Sequence, residues 1–280
     1  MIPSEAQMIR WNVDPEIFNI GNFALRWYGV LFAAAFITGF EVIKRIFIRE
    51  KVSEKHLDRL LIYTIVSTVL GARLGHTLFY EPEIYLANPL RILKVWEGGL
   101  ASHGAAITIP LAFYVFARKY NFSWLWILDR VAIITALAGG FIRTGNLFNS
   151  EIIGKPTDVP WAFIFERVSP LPRHPSQIYE AVAYFAIFGA LRALYEKPRL
   201  RNSPGFLFGF FLITVFGVRF LIEFLKEHQV AFEASLPLDM GQLLSIPLVL
   251  LGFWLVIRAL ARESKTPEPQ GKPFPRKKGA

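Results

Sequence analysis

At 280 residues, 53% hydrophobic and with 26 phenylalanines, the chain carries more apolar surface than a soluble domain of this length buries. The absence of cysteine excludes disulfides, thiolate metal sites and a nucleophilic cysteine of its own, so any thiol chemistry must use a partner's sulfur. A net charge of +9 would suggest nucleic acid in a soluble protein, but here membrane topology accounts for the basic residues and no nucleic-acid partner is expected.

Residues 1–26 read as an outward-facing N-terminal segment. Glu5, Asp14 and Glu16, with no basic start leading into an apolar run, argue against a cleaved signal peptide. A hydrocarbon core about 30 Å thick needs about 20 helical residues. Seven spans of that kind follow, near 27–46, 57–80, 98–117, 124–142, 175–194, 204–225 and 240–260. The expected fold class is therefore all-α, a polytopic membrane protein, with residues 27–260 as its membrane domain. Open sheets would leave backbone groups unpaired in lipid, and the alternation of an outer-membrane barrel is missing.

Trp11, Trp27, Trp96 and Trp124 stand near proposed span ends, as interfacial aromatics do. One long outward loop near 143–174 holds Pro156, Pro160, Pro170 and Pro172 with Trp161 and Phe163, and could cover a site. Residues 261–280, with four prolines and the pair Lys277 and Lys278, read as a disordered basic tail facing anionic lipid. With the N-terminus outside, the inward regions hold 19 Lys and Arg against ten outward, so the C-terminus is expected in the cytoplasm.

Ionisable side chains inside spans are costly and usually face a cavity or a partner. In this frame His103 lies about five residues below the outward end of span 3. Arg73 and His76 sit in the outward half of span 2, and Arg143 ends span 4. His174 precedes span 5 with Glu180 a turn or two inside, and Arg219 and Glu223 end span 6. Five segments thus bring polar groups to one depth. Each also has a plainer reading. Arg219 and Glu223, four apart on one face, can neutralise each other; Arg73 and His76 suit interhelical contacts, and Glu41, Asp129 and Arg130 structural roles. His103 stands among Gly98, Gly99 and Gly104, a setting that suits helix packing as well as function.

The strongest local signal runs from Arg143 through Asn146, Asn149 and Glu151 to Gly154, where charge-assisted donors beside a flexible backbone suit an oxyanion. A solvated helix exit is the plainer alternative. Arg173 to Glu180 follows, with Pro175 opening span 5 and Gln177 and Glu180 on one face. Five scattered histidines without an HExxH pattern do not indicate a metal.

These stretches resemble the bacterial prolipoprotein diacylglyceryl transferase family. The resemblance rests on Trp27-Tyr28-Gly29, the run from Gly98 to Gly104, Arg143 to Gly154, His174 to Glu180, and Arg219-Phe220 with Glu223-Phe224; it spans about 20–258. The signature departs from the usual family pattern at Ile142, Thr144 and Ser150, where Gly, an aliphatic residue and Gly are common.

The resemblance implies transfer of the diacylglyceryl group from phosphatidylglycerol to the lipobox cysteine of a prolipoprotein signal peptide. A thioether forms and glycerol phosphate leaves, as the first step of lipoprotein maturation. It implies a multi-pass protein of the bacterial inner membrane, with the site toward the outer leaflet and membrane lipids around it, and no cofactor. By the same resemblance His103 is base or thiol-orienting group, and Arg143 and Arg219 hold the phosphate. Asn146, Glu151 and Gly154 shape the site, and Tyr28, His174, Gln177, Glu180 and Glu223 bind or orient substrate. Two rivals are weaker. A transporter of an anionic solute would be expected to show internal repeats, and an intramembrane serine hydrolase on Ser102, with His76 or His174 as base, lacks the Gly-x-Ser-x-Gly pattern because Leu100 occupies its first Gly position.

Overall fold

A computed structural model describes residues 8–21, 23–94, 98–227 and 237–262. The readings placed on Glu5, Trp96 and the tail beyond Arg262 fall outside these residues. Seven long helices occupy the seven predicted spans: α1 (Trp27–Arg49), α2 (Glu54–Phe79), α4 (Ser102–Tyr120), α5 (Trp124–Phe148), α6 (Ser176–Tyr195), α8 (Phe206–Glu223) and α9 (Met240–Ala261). Between them lie short helices α3 (Pro82–Ala87) and α7 (Pro198–Arg201), and a 3-10 turn at Pro89–Leu93. Among the described residues four helices, α5, α6, α8 and α9, are long and apolar enough to cross a membrane. In α1 and α2 the charges of Glu41, Lys44, Arg45, Asp58, Arg59 and Arg73 dilute the apolar run.

Two boundaries differ from expectation for local reasons. Gly98 and Gly99 have φ of 86° and 69°, outside the helical region, so α4 starts at Ser102 rather than near 98. Helix α5 runs six residues past its predicted end at 142 and carries Arg143 and Asn146 as helical residues rather than as part of a loop.

The described residues are mostly helical, as expected, with five short strands among them outside the long helices. Strand β1 (Ile9–Trp11) pairs in parallel with β4 (Phe163–Phe165), which pairs antiparallel with β5 (Pro172–Arg173); β2 (Glu16–Ile20) and β3 (Phe23–Arg26) form a hairpin. Strands of two to five residues are too short for a period-2 pattern to declare itself. A small apolar cluster of Leu147, Phe163 and Phe165 holds the first sheet to the end of α5, with Trp11, Ile153 and Ile178 packed on it. The Trp11 indole donates to the Leu147 carbonyl at 3.0 Å.

The chain divides into two compact units, one of Met1–Ile43 and Asp129–Lys265, the other with Lys44–Leu128 as its described part. In the first, α8 and α9 approach through glycines: a Cβ on Gly209 would stand 2.8 Å from the Gly252 carbonyl oxygen, and one on Gly252 2.7 Å from that of Gly209. Buried Asp129 of α5 accepts from the Gly205 and Phe208 amides, both at 2.8 Å, and so caps α8 with a side chain from another helix. In the second, Gly71 and Gly75 of α2 meet Gly104 of α4 so closely that a Cβ on Gly104 would overlap the Gly71 carbonyl oxygen. Buried Arg73 donates to backbone carbonyls of Arg91, Ile92, Lys94, Gly98 and Gly99, tying the segment before α4 to α2.

Candidate functional site

Arg143 and Asn146 are one helical turn apart, so α5 presents them on one face, with Arg143 Nη1 donating to Asn146 Oδ1 at 3.3 Å. Past Phe148 the chain winds tightly: Ser150 and Ile152 both have φ of 54°, rare for side-chain-bearing residues and more so for a β-branched one. This winding returns Glu151 toward α5. Its carboxylate accepts from Asn146 Nδ2 at 2.9 Å and Asn149 Nδ2 at 3.2 Å. The first turn of α6 then fixes the exit, Ser176 Oγ donating to the Ile152 carbonyl at 2.6 Å and Gln177 Nε2 to that of Glu151 at 2.5 Å.

Ser150 gains nothing from its side chain there, because its hydroxyl is buried without a hydrogen-bond partner among the described residues. Ser150→Gly, which removes both the left-handed strain and the unpaired hydroxyl, is expected to stabilise the fold by about 1 kcal/mol. A higher midpoint of thermal unfolding in detergent would show it, and a lower one would contradict it.

Gly154 is the meeting point of three segments. Its amide donates to the His174 carbonyl at 2.9 Å, it forms a strand-like bridge with Lys226, and the next amide, of Lys155, donates to Leu225 at 2.7 Å. A Cβ at this position would stand 2.5 Å from His174 Cβ, 2.6 Å from the His174 oxygen and 2.9 Å from the Leu225 oxygen. Arg173 supports the same corner, donating to the Gly154 carbonyl at 3.2 Å and to the Glu227 carboxylate.

The charged centre lies between α5, α6 and the end of α8. Glu180, fully buried, has Arg143 Nε 2.9 Å from Oε2 and Lys226 Nζ 2.9 Å from Oε1. The Arg143 contact is an ion pair without hydrogen-bond alignment, since Oε2 accepts no aligned bond. Lys226 also reaches Glu223 Oε2 at 3.2 Å, so Glu223 pairs with Lys226 rather than with Arg219. Gly241 of α9 walls the Glu223 carboxylate, and a Cβ there would meet its carboxyl carbon at 2.6 Å. Arg219 is half-buried and, among the described residues, has no ion-pair or hydrogen-bond partner. Its charge and those of Arg143 and Glu180 act on the Tyr184 hydroxyl.

His174 is oriented by a chain whose direction the donors dictate. Trp161 Nε1 can only donate, and does so to the Tyr179 oxygen at 2.8 Å; the Tyr179 proton is then free for His174 Nδ1, 3.2 Å away. With Nδ1 accepting, the neutral ring carries its proton on Nε2. Burial acts in the same direction, lowering His174 from its ordinary value near 6.5 and favouring the uncharged ring. Tyr28 lies against Gly145, where a Cβ would come within 2.8 Å of its ring, and stacks on Phe32.

Of the residues singled out in the sequence, Arg143, Asn146, Glu151, Gly154, His174, Gln177, Glu180 and Glu223 form one connected set in the first unit. Tyr28 packs beside it, and Arg219 stands one turn before Glu223 on α8. His103 belongs to the second unit. It is exposed in the first turn of α4, with the rings of Phe79 and Tyr80 at 5.4 and 5.6 Å and neither nitrogen hydrogen-bonded among the described residues. His76, in the same unit, pairs with Glu81 at 3.3 Å. The sequence reading missed Lys226, Tyr179 and Tyr184. Lys226 follows Glu223 at the i+3 spacing of a helical pair, which is the signal that could have found it.

The arrangement offers guanidinium and amide donors in a low-dielectric setting, suited to an anionic oxygen group. Residues 15–258 match the family model described as prolipoprotein diacylglyceryl transferase. The chain is 49% identical over 259 residues to the phosphatidylglycerol-prolipoprotein diacylglyceryl transferase of Tolumonas auensis, covering 92% of this chain and 100% of that relative. It is 49% identical over 253 residues to the protein of that name from Chloroherpeton thalassium, covering 90% and 94%, and 44% identical over 268 residues to that from Porphyromonas gingivalis, covering 90% and 95%. Similarity of this extent, carried along nearly the whole of each chain, means that the chain belongs to the prolipoprotein diacylglyceryl transferase family.

Proposed function

We propose that this protein transfers the diacylglyceryl group of phosphatidylglycerol to the lipobox cysteine thiol of a prolipoprotein signal peptide. The observation that carries the reading is the set of half-buried Arg143 with buried Asn146, Glu180 and Lys226, and Arg219 unpaired among the described residues beside it, in a chain of this family. In the reaction the thiolate sulfur attacks the glycerol carbon that bears the phosphate. The carbon–sulfur bond forms as the carbon–oxygen bond breaks, and glycerol phosphate leaves with the electron pair.

Three tasks follow from that chemistry. A thiol of pKa about 8.5 must lose its proton, an anionic phosphodiester must be held, and charge on the departing phosphate must be offset. Arg143 and Arg219 hold the phosphate; Asn146 and Glu151 set the orientation of Arg143, and Gly154 lets the three segments close around it. His174 offers its Nε2 proton as a neutral donor, and Tyr28, Gln177, Glu180 and Glu223 bind or orient substrate. His103, whose ring nitrogens have no hydrogen-bond partner among the described residues, accepts the thiol proton or orients the sulfur. The seven long helices span the bacterial inner membrane with the N-terminus outside and the site at outer-leaflet depth, where the lipid donor is at hand.

Reconstitution with phosphatidylglycerol and a lipobox peptide tests the reading. The peptide is expected to gain the mass of one diacylglyceryl group as one glycerol phosphate is released. No transfer by pure, folded protein under conditions where a relative works would overturn it. In the same assay, a folded His103→Gln protein with wild-type turnover would remove His103 from the proton transfer.

A further inference from the structure

The ammonium of Lys226 takes no part in the chemistry above, yet it is 2% exposed and touches two carboxylates, Glu180 Oε1 at 2.9 Å and Glu223 Oε2 at 3.2 Å. Burying a cation is costly unless it is paired. A tie between α6 and the end of α8 would need only one carboxylate. Here one ammonium serves two, and the remaining oxygen of Glu180 faces Arg143. In the set formed by Arg143, Arg219, Lys226, Glu180 and Glu223, three cations stand against two carboxylates. One positive charge is left over, the complement of a single phosphodiester. Two further acidic groups nearby are already engaged: exposed Glu151 accepts from two amides, and Glu227 pairs with Arg173.

We propose that Lys226 is a positioning residue that sets the charge of the headgroup pocket: by holding Glu180 and Glu223 it leaves Arg219 free for an anionic lipid phosphate. The inference rests on the transferase reading above. Its physical core is the spacing on α8. Arg219 lies four residues before Glu223, a distance at which oppositely charged helical side chains pair. Lys226 lies three residues after Glu223 and takes that carboxylate instead. Without the ammonium, Glu223 turns to Arg219, the cluster becomes neutral, and the cation that would meet the phosphate is withdrawn.

Steady-state transfer in mixed micelles of phosphatidylglycerol, with a lipobox peptide, tests this on purified wild type, Lys226→Met, Lys226→Arg and the double variant Lys226→Met with Glu223→Gln. Lys226→Met is expected to raise KM for phosphatidylglycerol about 10-fold, with a much smaller change in kcat. Lys226→Arg, always charged, restores KM close to wild type. The double variant has a lower KM than Lys226→Met alone, because the carboxylate four residues from Arg219 is gone and Glu180 still faces Arg143. Where the methionine variant does not fold, Lys226→Gln reads the same quantity. A folded Lys226→Met or Lys226→Gln protein with wild-type KM, or a double variant no better than the single, overturns the proposal. A wild type that transfers nothing overturns the functional reading and this proposal with it.

Discussion

Arg143→Ala is expected to lower kcat/KM for phosphatidylglycerol about 1,000-fold, the scale of losing one preorganised donor at developing charge. Arg143 is engaged on two sides: Asn146 accepts from Nη1 and Glu180 faces Nε. Its planar fork is therefore held in one orientation before any ligand arrives. Alanine removes the cation and also deprives fully buried Glu180 of one of its two partners, so a carboxylate is left pressing on an anionic substrate. Arg143→Lys keeps the charge but cannot reach Asn146 and Glu180 while facing a phosphate, and is expected to lose about 100-fold. Peptide lipidation measured against phosphatidylglycerol concentration checks both. Retention of more than about a tenth of wild-type kcat/KM by Arg143→Ala would contradict a direct role in holding phosphate.

Gly154→Ala is the second large effect, and its cause is steric rather than electrostatic. The added methyl would lie 2.6 Å from one backbone oxygen and 2.9 Å from another, neither of which can swing aside as a flexible side chain does. The bridge to Lys226 and the amide bond to His174 must open by about 1 Å to admit it, a displacement that costs catalysis about 100-fold when it reaches reacting groups. Overpacking of this kind costs about 2 kcal/mol of stability. The expected result is a protein that is purified folded, melts earlier and transfers at about a hundredth of the wild-type rate. Wild-type transfer by Gly154→Ala would mean that the corner relaxes without disturbing the charged centre.

Both effects concern residues that the sequence singled out, and the reason is spacing. Arg143 and Asn146, and Gln177 and Glu180, are i,i+3 pairs, so a helix alone puts each pair on one face. Apolar runs likewise mark where the seven long helices lie, although among the described residues four of them are long and apolar enough to cross a membrane. What stayed hidden depends on contacts between distant segments. Lys226 looks like one more outward basic residue until Glu180, 46 positions away, is seen against its ammonium. The true end of α5 is masked in the sequence because Arg143 and Gly145 resemble a helix exit. The helix persists past them because Tyr28 packs onto Gly145 and Trp27 stacks on Phe148. Ser150 is the converse case. Its departure from a common glycine was visible in the sequence, but only its left-handed backbone explains why glycine suits that position.

The pairing of β1 with β4 bears on how the molecule is made. Arg10 and Glu166, which join at this sheet, are 156 positions apart, so in the nascent chain Arg10 waits through that length of synthesis before its partner exists. Trp11 likewise has neither the Leu147 carbonyl nor the ring of Phe163 to rest against until those residues have been made. The corner between α5 and α6 is thus completed late in biogenesis, after the ribosome has passed Phe165, and chains arrested earlier would hold inserted helices around an unfinished site.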